Sequence, residues 1–140
     1  MELIANAIQT VNENANVLFT DTVVCGSLSI VHRDGSGLVS LRGLATGQCR
    51  ARFRISFGAN IAIPTGGTVD AISLALAIDG EPVAATTMIY TPAAVEEYGN
   101  VFSSIFIDVP RGCCSTISVQ NTSAQPINVQ NANLIVERVA

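Results

Sequence analysis

Residues 48–57 read Gln48-Cys49-Arg50-Ala51-Arg52-Phe53-Arg54-Ile55-Ser56-Phe57. Cys49, Ala51, Phe53, Ile55 and Phe57 share one parity, and Arg50, Arg52, Arg54 and Ser56 share the other. Successive side chains on a strand point to opposite faces, so the pattern predicts a half-buried β-strand with three arginines along its open side. A β fold follows, and so does a positive stripe that something must answer, because like charges two residues apart on one face repel. Three answers are open for Arg50, Arg52 and Arg54: salt bridges to another subunit, an anion or acidic-glycan site, or plain solvation.

Working outward, short strands follow one another. The alternation predicts them over 17–24, 27–32, 38–42, 49–57, 71–78, 82–90, 101–109 and 113–121, with one or two more in 126–139. The turns between them carry Asp34-Gly35-Ser36-Gly37, Asp79-Gly80, Pro110-Arg111-Gly112 and the 122–125 segment. Residues 43–47, 58–68 and 91–100 read as loops. Eight to ten strands at this spacing predict an all-β antiparallel sandwich of the jelly-roll kind. Residues 1–16 read as a separate N-terminal arm or short helix, from the rough helical spacing of Leu3, Ile4, Ala7, Ile8 and Val11, with the jelly roll over 17–140.

Composition narrows the function. Hydrophobic residues reach 49% and charged residues only 13%, with mean hydropathy +0.44. No apolar run approaches the ~18 residues of a membrane-spanning helix, so the surplus apolar surface is expected against other subunits. Lysine is absent and all 7 basic residues are arginine, against 11 acidic ones. A net charge of −4 speaks against nucleic-acid binding, which needs a basic field. The first residues lack a basic region and a long apolar core, so synthesis in the cytoplasm without a signal peptide is expected.

In the strand at 71–78, Ile72, Leu74, Leu76 and Ile78 face one way and Ala71, Ser73, Ala75 and Ala77 the other. Small apolar residues on a face that would normally carry Thr, Lys or Glu suit close approach of a second surface. Ala71, Ser73, Ala75 and Ala77 are therefore the expected oligomer interface, with cover by the chain's own loops as the alternative.

Catalytic chemistry is not expected. Nucleophilic triads need a histidine, and the single one, His32, ends a strand and reads as hydrogen-bonded to the next loop. Glu96 and Glu97 are adjacent in a loop and diverge. The glycine-rich stretches lack a lysine and the strand-loop-helix context of a phosphate loop. Asn121-Thr122-Ser123 matches a glycosylation acceptor and reads as a surface turn. Cys25, Cys49, Cys113 and Cys114 have no CxxC spacing, so neither metal nor cofactor is expected. They read as buried reduced thiols or as a disulfide such as Cys49 to Cys113 or Cys114, adjacent cysteines being too strained to pair with each other.

Several segments in order carry a resemblance. They are Val17-Leu18-Phe19-Thr20-Asp21-Thr22-Val23, Ile30-Val31-His32-Arg33-Asp34-Gly35-Ser36-Gly37, Gly47…Phe53…Phe57, and Ile72 through Asp79-Gly80-Glu81-Pro82. The close is Val109-Pro110-Arg111-Gly112, Val119-Gln120-Asn121-Thr122-Ser123 and Asn133-Leu134-Ile135-Val136-Glu137-Arg138. Over about residues 15–140 the chain resembles the C-terminal domain of bacterial collagen-like proteins. That domain is the spore-surface glycoprotein branch of the tumour-necrosis-factor/complement globular-head superfamily. The resemblance implies a ten-stranded jelly roll assembled as a tight homotrimer, of a kind found on spore surfaces and among prophage structural genes. Because no Gly-X-Y repeat is present, a phage-particle component such as a head-decoration or fibre-tip protein is the leading expectation, with residues 1–16 as its anchor to a capsid, fibre or coat protein. A glycan-binding trimer using loops 58–68 and 91–100, and a spore-surface or filament-forming subunit using the cysteines, are the alternatives.

Overall fold

The computed structural model describes residues 1–44 and 49–140. Gly47, part of the expected 43–47 loop, lies outside the described residues. The elements are β1 (Glu2–Ala5), β2 (Gln9–Val11), β3 (Asp21–Val24), β4 (Ile30–His32), β5 (Val39–Arg42), β6 (Arg50–Ala62), β7 (Ile72–Ile78), β8 (Glu81–Pro82), a 3-10 turn (Ala84–Thr86), β9 (Met88–Tyr90), β10 (Gly99–Pro110), β11 (Cys114–Asn121) and β12 (Ile127–Arg138). Two antiparallel sheets result. The first runs β10-β6-β12-β1-β3, with β2 also on β12, and the second runs β4-β5-β11-β7-β8, with β9 also on β7. This is the jelly-roll sandwich that the strand pattern predicts. Among the described residues no helix is long and apolar enough to cross a membrane.

The parity of β6 holds from Arg50 to Ile61 and breaks only at its last residue, Ala62, which is also buried. Ala51, Phe53, Ile55, Phe57, Ala59 and Ile61 are buried between the sheets. Phe57 meets Phe19 edge to face at 6.2 Å, a geometry that aligns the positive ring edge with the negative face. The strand continues through Gly58–Ala62, where a loop is expected. Gly58 pairs with Phe102 of β10 and Asn133 of β12, so the two long neighbours hold an extended backbone that glycine alone does not specify.

The N-terminal segment is not a separate arm, nor a helix. Glu2–Ala5 pairs with Ala132–Ile135 of β12, and Gln9–Val11 pairs with Ile127–Val129. Leu3, Ala5 and Val11 join the common core. A free edge of β12 offers more backbone hydrogen bonds than one short isolated helix can make alone, and helices this short are marginal in water.

The Asp79-Gly80 turn forms as expected, with φ of +51° and +86°, the left-handed pair of a tight hairpin that glycine adopts without strain. Its return strand is broken, however. The buried Thr86 hydroxyl accepts from the Leu76 N–H at 3.0 Å and sits 2.7 Å from the Val83 carbonyl. A side chain thus replaces the ladder where the 3-10 turn interrupts it. Asn121 is likewise buried, not in a surface turn: its amide donates to the Val11 and Gln125 carbonyls at 3.0 Å each, and its oxygen accepts from Ser123 N–H at 2.9 Å. It ties β2 to the turn after β11 and is closed to modification.

Candidate functional site: an assembly surface on the first sheet

The outward side chains of β10, β6, β12 and β1 stand in rows set by strand register. Asn100 lies across from Asn60, Phe102 from Gly58, Ser104 from Ser56, Phe106 from Arg54, Asp108 from Arg52 and Pro110 from Arg50. On the other side of β6, Gly58 meets Asn133, Ser56 meets Ile135 and Arg54 meets Glu137.

The arginine stripe is answered within the chain. Arg52 donates to both Asp108 oxygens, at 2.8 and 3.1 Å. Arg50 lies 2.8 Å from the same carboxylate, and Arg54 pairs with Glu137. Salt bridges to another subunit are not needed to neutralise it, and a free anion site would have to displace carboxylates already in place. The hydrogen bond from Arg52, helped by the charges of Arg52 and Arg50, holds the Asp108 carboxyl below its ordinary range, and Asp108 in turn raises Arg52. The other polar groups pair too. Ser56 and Ser104 hydroxyls meet at 2.9 Å, Asn100 donates to Asn60 at 3.2 Å, Asn60 to Asn131 at 3.2 Å, and Asn133 to Glu2 at 2.7 Å.

Phe102 and Phe106 stand apart from this pairing. They are 66% and 61% exposed, on β10, whose only paired neighbour among the described residues is β6. A long edge strand with an open backbone and two exposed rings is a surface that natural sheets cover. The sequence signal was available: in residues 101–109 both parities carry large apolar side chains, Val101, Ile105, Ile107 and Val109 on one and Phe102 and Phe106 on the other. A strand apolar on both faces is buried on both.

The interface expected on β7 takes a different form. Ala75 and Ala77 are 0% and 1% exposed within the single chain, so they have no surface left to give a neighbour. Ser73 is half-buried, its hydroxyl 2.6 Å from that of Thr122, and Ala71 is exposed. Small side chains here mark tight cover by the chain itself.

All four cysteines are free and exposed, contrary to both the buried-thiol and the disulfide expectation. His32 donates from Nε2 to the Ser36 carbonyl at 2.9 Å, the expected loop contact. Among the described residues no group of three His, Cys, Asp or Glu side chains is placed to hold a metal ion. At the far end of the sandwich, Glu96 accepts from Thr65 N–H and hydroxyl at 3.0 and 2.9 Å, and Gln125 bonds Thr68 at 3.0 and 2.7 Å. The loops after β6, before β10 and after β11 are thereby joined into one rim.

No protein-family model and no curated protein matches this chain. Solved structures do. The globular domain of the zebrafish complement 1qA protein matches with TM-score 0.64 and 10% identity, over 96% of this chain and 93% of that one. Murine APRIL matches with TM-score 0.64 and 10% identity, over 97% of each chain. A family 35 carbohydrate-binding module from Cellvibrio japonicus Abf62 has 12% identity over 100% and 98% of the two chains, but its TM-score of 0.43 carries no argument. At these identities the first two likenesses show the fold alone, an all-β jelly roll.

Proposed function

We propose that this chain is a non-enzymatic structural module that assembles as a homotrimer through the outer face of the first sheet. The observation that carries the reading is the pair Phe102 and Phe106, exposed on an open edge strand beside a face whose charges are already neutralised. Desolvating the paired charges still costs free energy, so the gain on association comes from burial of the rings with the ion pairs kept toward the rim. Three copies, and a final site on the surface of a phage particle or related assembly, rest on the sequence resemblance. Replacing both rings by serine tests the reading: a folded chain that no longer self-associates supports it.

A second reading, glycan recognition, is favoured by the rim that Thr65, Glu96, Thr68 and Gln125 tie together. Screening the chain on a glycan array tests it, and binding lost in Glu96→Ala would support it.

A further inference from the structure

Residues 25–29 connect β3 to β4, Leu44 follows β5, and Arg138 ends β12. With Met1 they line an open cavity of about 840 Å³. That volume falls within the range of small-molecule sites, about 300–1,000 Å³. Ile30 lines it too and is buried, whereas Leu28 and Leu44 are 83% and 37% exposed. Bare leucines gathered around one concave wall mark a binding groove, unlike apolar side chains scattered singly. Gly26 keeps that wall close: a Cβ there would stand 3.0 Å from the Cβ of Met1.

Polar donors meet at the same cavity. Arg138 gives Nη1 to the Ser29 hydroxyl at 2.9 Å and the Leu44 carbonyl at 2.6 Å, and Nε to the backbone oxygen of Ala140 at 3.2 Å. A guanidinium carries five N–H donors, and among the described residues no acceptor takes those on Nη2. Among the described residues no side-chain carboxylate stands at ion-pair distance from Arg138, in contrast to Arg50, Arg52 and Arg54. The neighbouring Glu137, also in the cavity wall, is held by Arg54. Ser27 supplies a second donor. Its oxygen accepts from the Ser29 N–H at 3.3 Å, and its own proton has no acceptor among the described residues.

We propose that this cavity binds the free carboxylate of a straight-chain aliphatic acid. One carboxylate oxygen takes the Arg138 Nη2 donors and the other the Ser27 hydroxyl, while the chain lies against Leu28, Ile30 and Leu44. The head must be small, because one guanidinium edge and one hydroxyl serve two oxygens. The hydrogen bonds are charge-assisted, which makes them shorter and stronger than neutral ones. The tail accounts for the exposed leucines. Each methylene that leaves water should tighten binding by up to about fourfold.

The test titrates hexanoate, octanoate and decanoate, each below its critical micelle concentration, into the full chain under reductant. Calorimetry gives the affinity and methyl NMR gives the place. Expected is saturable binding that tightens by about tenfold or more from hexanoate to decanoate, with shifts on Leu28, Ile30 and Leu44. Decyltrimethylammonium, an equally long tail on a cationic head, should bind at least about tenfold more weakly. Arg138→Gln should lose about tenfold in decanoate affinity, and Arg138→Lys should keep most of it. Leu28→Ser should also lose about tenfold with unchanged circular dichroism, since Leu28 is exposed, so the test stands even if Arg138→Gln unfolds. Absence of saturable decanoate binding, equal binding of the cationic tail, shifts centred on Phe102 and Phe106, or undiminished binding in Leu28→Ser would overturn the proposal.

Discussion

Phe102→Ser/Phe106→Ser is the perturbation that separates an assembly face from ordinary exposed surface. Taking roughly 200 Å² per phenylalanine side chain, exposures of 66% and 61% leave roughly 250 Å² of ring surface per protomer in contact with water. At about 25 cal/mol per Å², full burial would stabilise association by about 6 kcal/mol per protomer, and half burial by about 3. Even the lower figure is roughly a hundredfold in dissociation constant per protomer. Both rings lie outside the buried core, so the two substitutions together should change the isolated domain by no more than about 1 kcal/mol. The assay is light-scattering mass across a micromolar dilution series in reductant, with circular dichroism as the check on folding. The wild type should keep its assembled mass to much lower concentration than the variant. Its Tm should also rise with concentration, because association stabilises the folded state by mass action, whereas the variant's should not. A folded variant with an unchanged dissociation profile would refute the reasoning.

Other predictions concern the paired face and the core. Asp108 should titrate below the ordinary carboxylate range by NMR, and Arg52→Gln should return it toward that range, because the Arg52 hydrogen bond is the main cause of the shift. Since the folded value is the depressed one, the stabilisation it brings is present above about pH 4 and is lost as pH falls through the lowered value. An unshifted Asp108 would remove the ion pair from the account. Asn121→Ala strands the buried Val11 carbonyl, the part-buried Gln125 carbonyl and the Ser123 N–H, at a cost of roughly 2–4 kcal/mol. Its Tm should drop by roughly 8–15 °C, and a change under 2 °C, about 0.5 kcal/mol or less, would show that those groups find other partners.

Much of this was legible because strands report burial by parity. The alternation in β6 and β7 identifies their inward faces without any knowledge of neighbours. Where the reading missed, a partner distant in sequence decided. Arg52 and Asp108 are 56 residues apart, and only the register of β10 on β6 brings them together, so a stripe that looks unopposed in sequence is paired in the fold. The helical spacing of residues 3–11 gave way to strands because β12 is long enough to take both β1 and β2. Ala75 and Ala77 resemble an interface because small side chains permit close approach, but spacing does not tell whether the approaching surface belongs to the same chain. The exposed rings on β10 carried the clearer sign, a strand apolar in both parities.

The most direct measurement of the central claim is the solution mass of the full chain, by size-exclusion chromatography with light scattering in the presence of reductant. The account predicts a species of about 44 kDa, three copies of the 14.6 kDa chain. A stable 14.6 kDa monomer at micromolar concentration would contradict it, leaving Phe102 and Phe106 to be covered by something other than this chain.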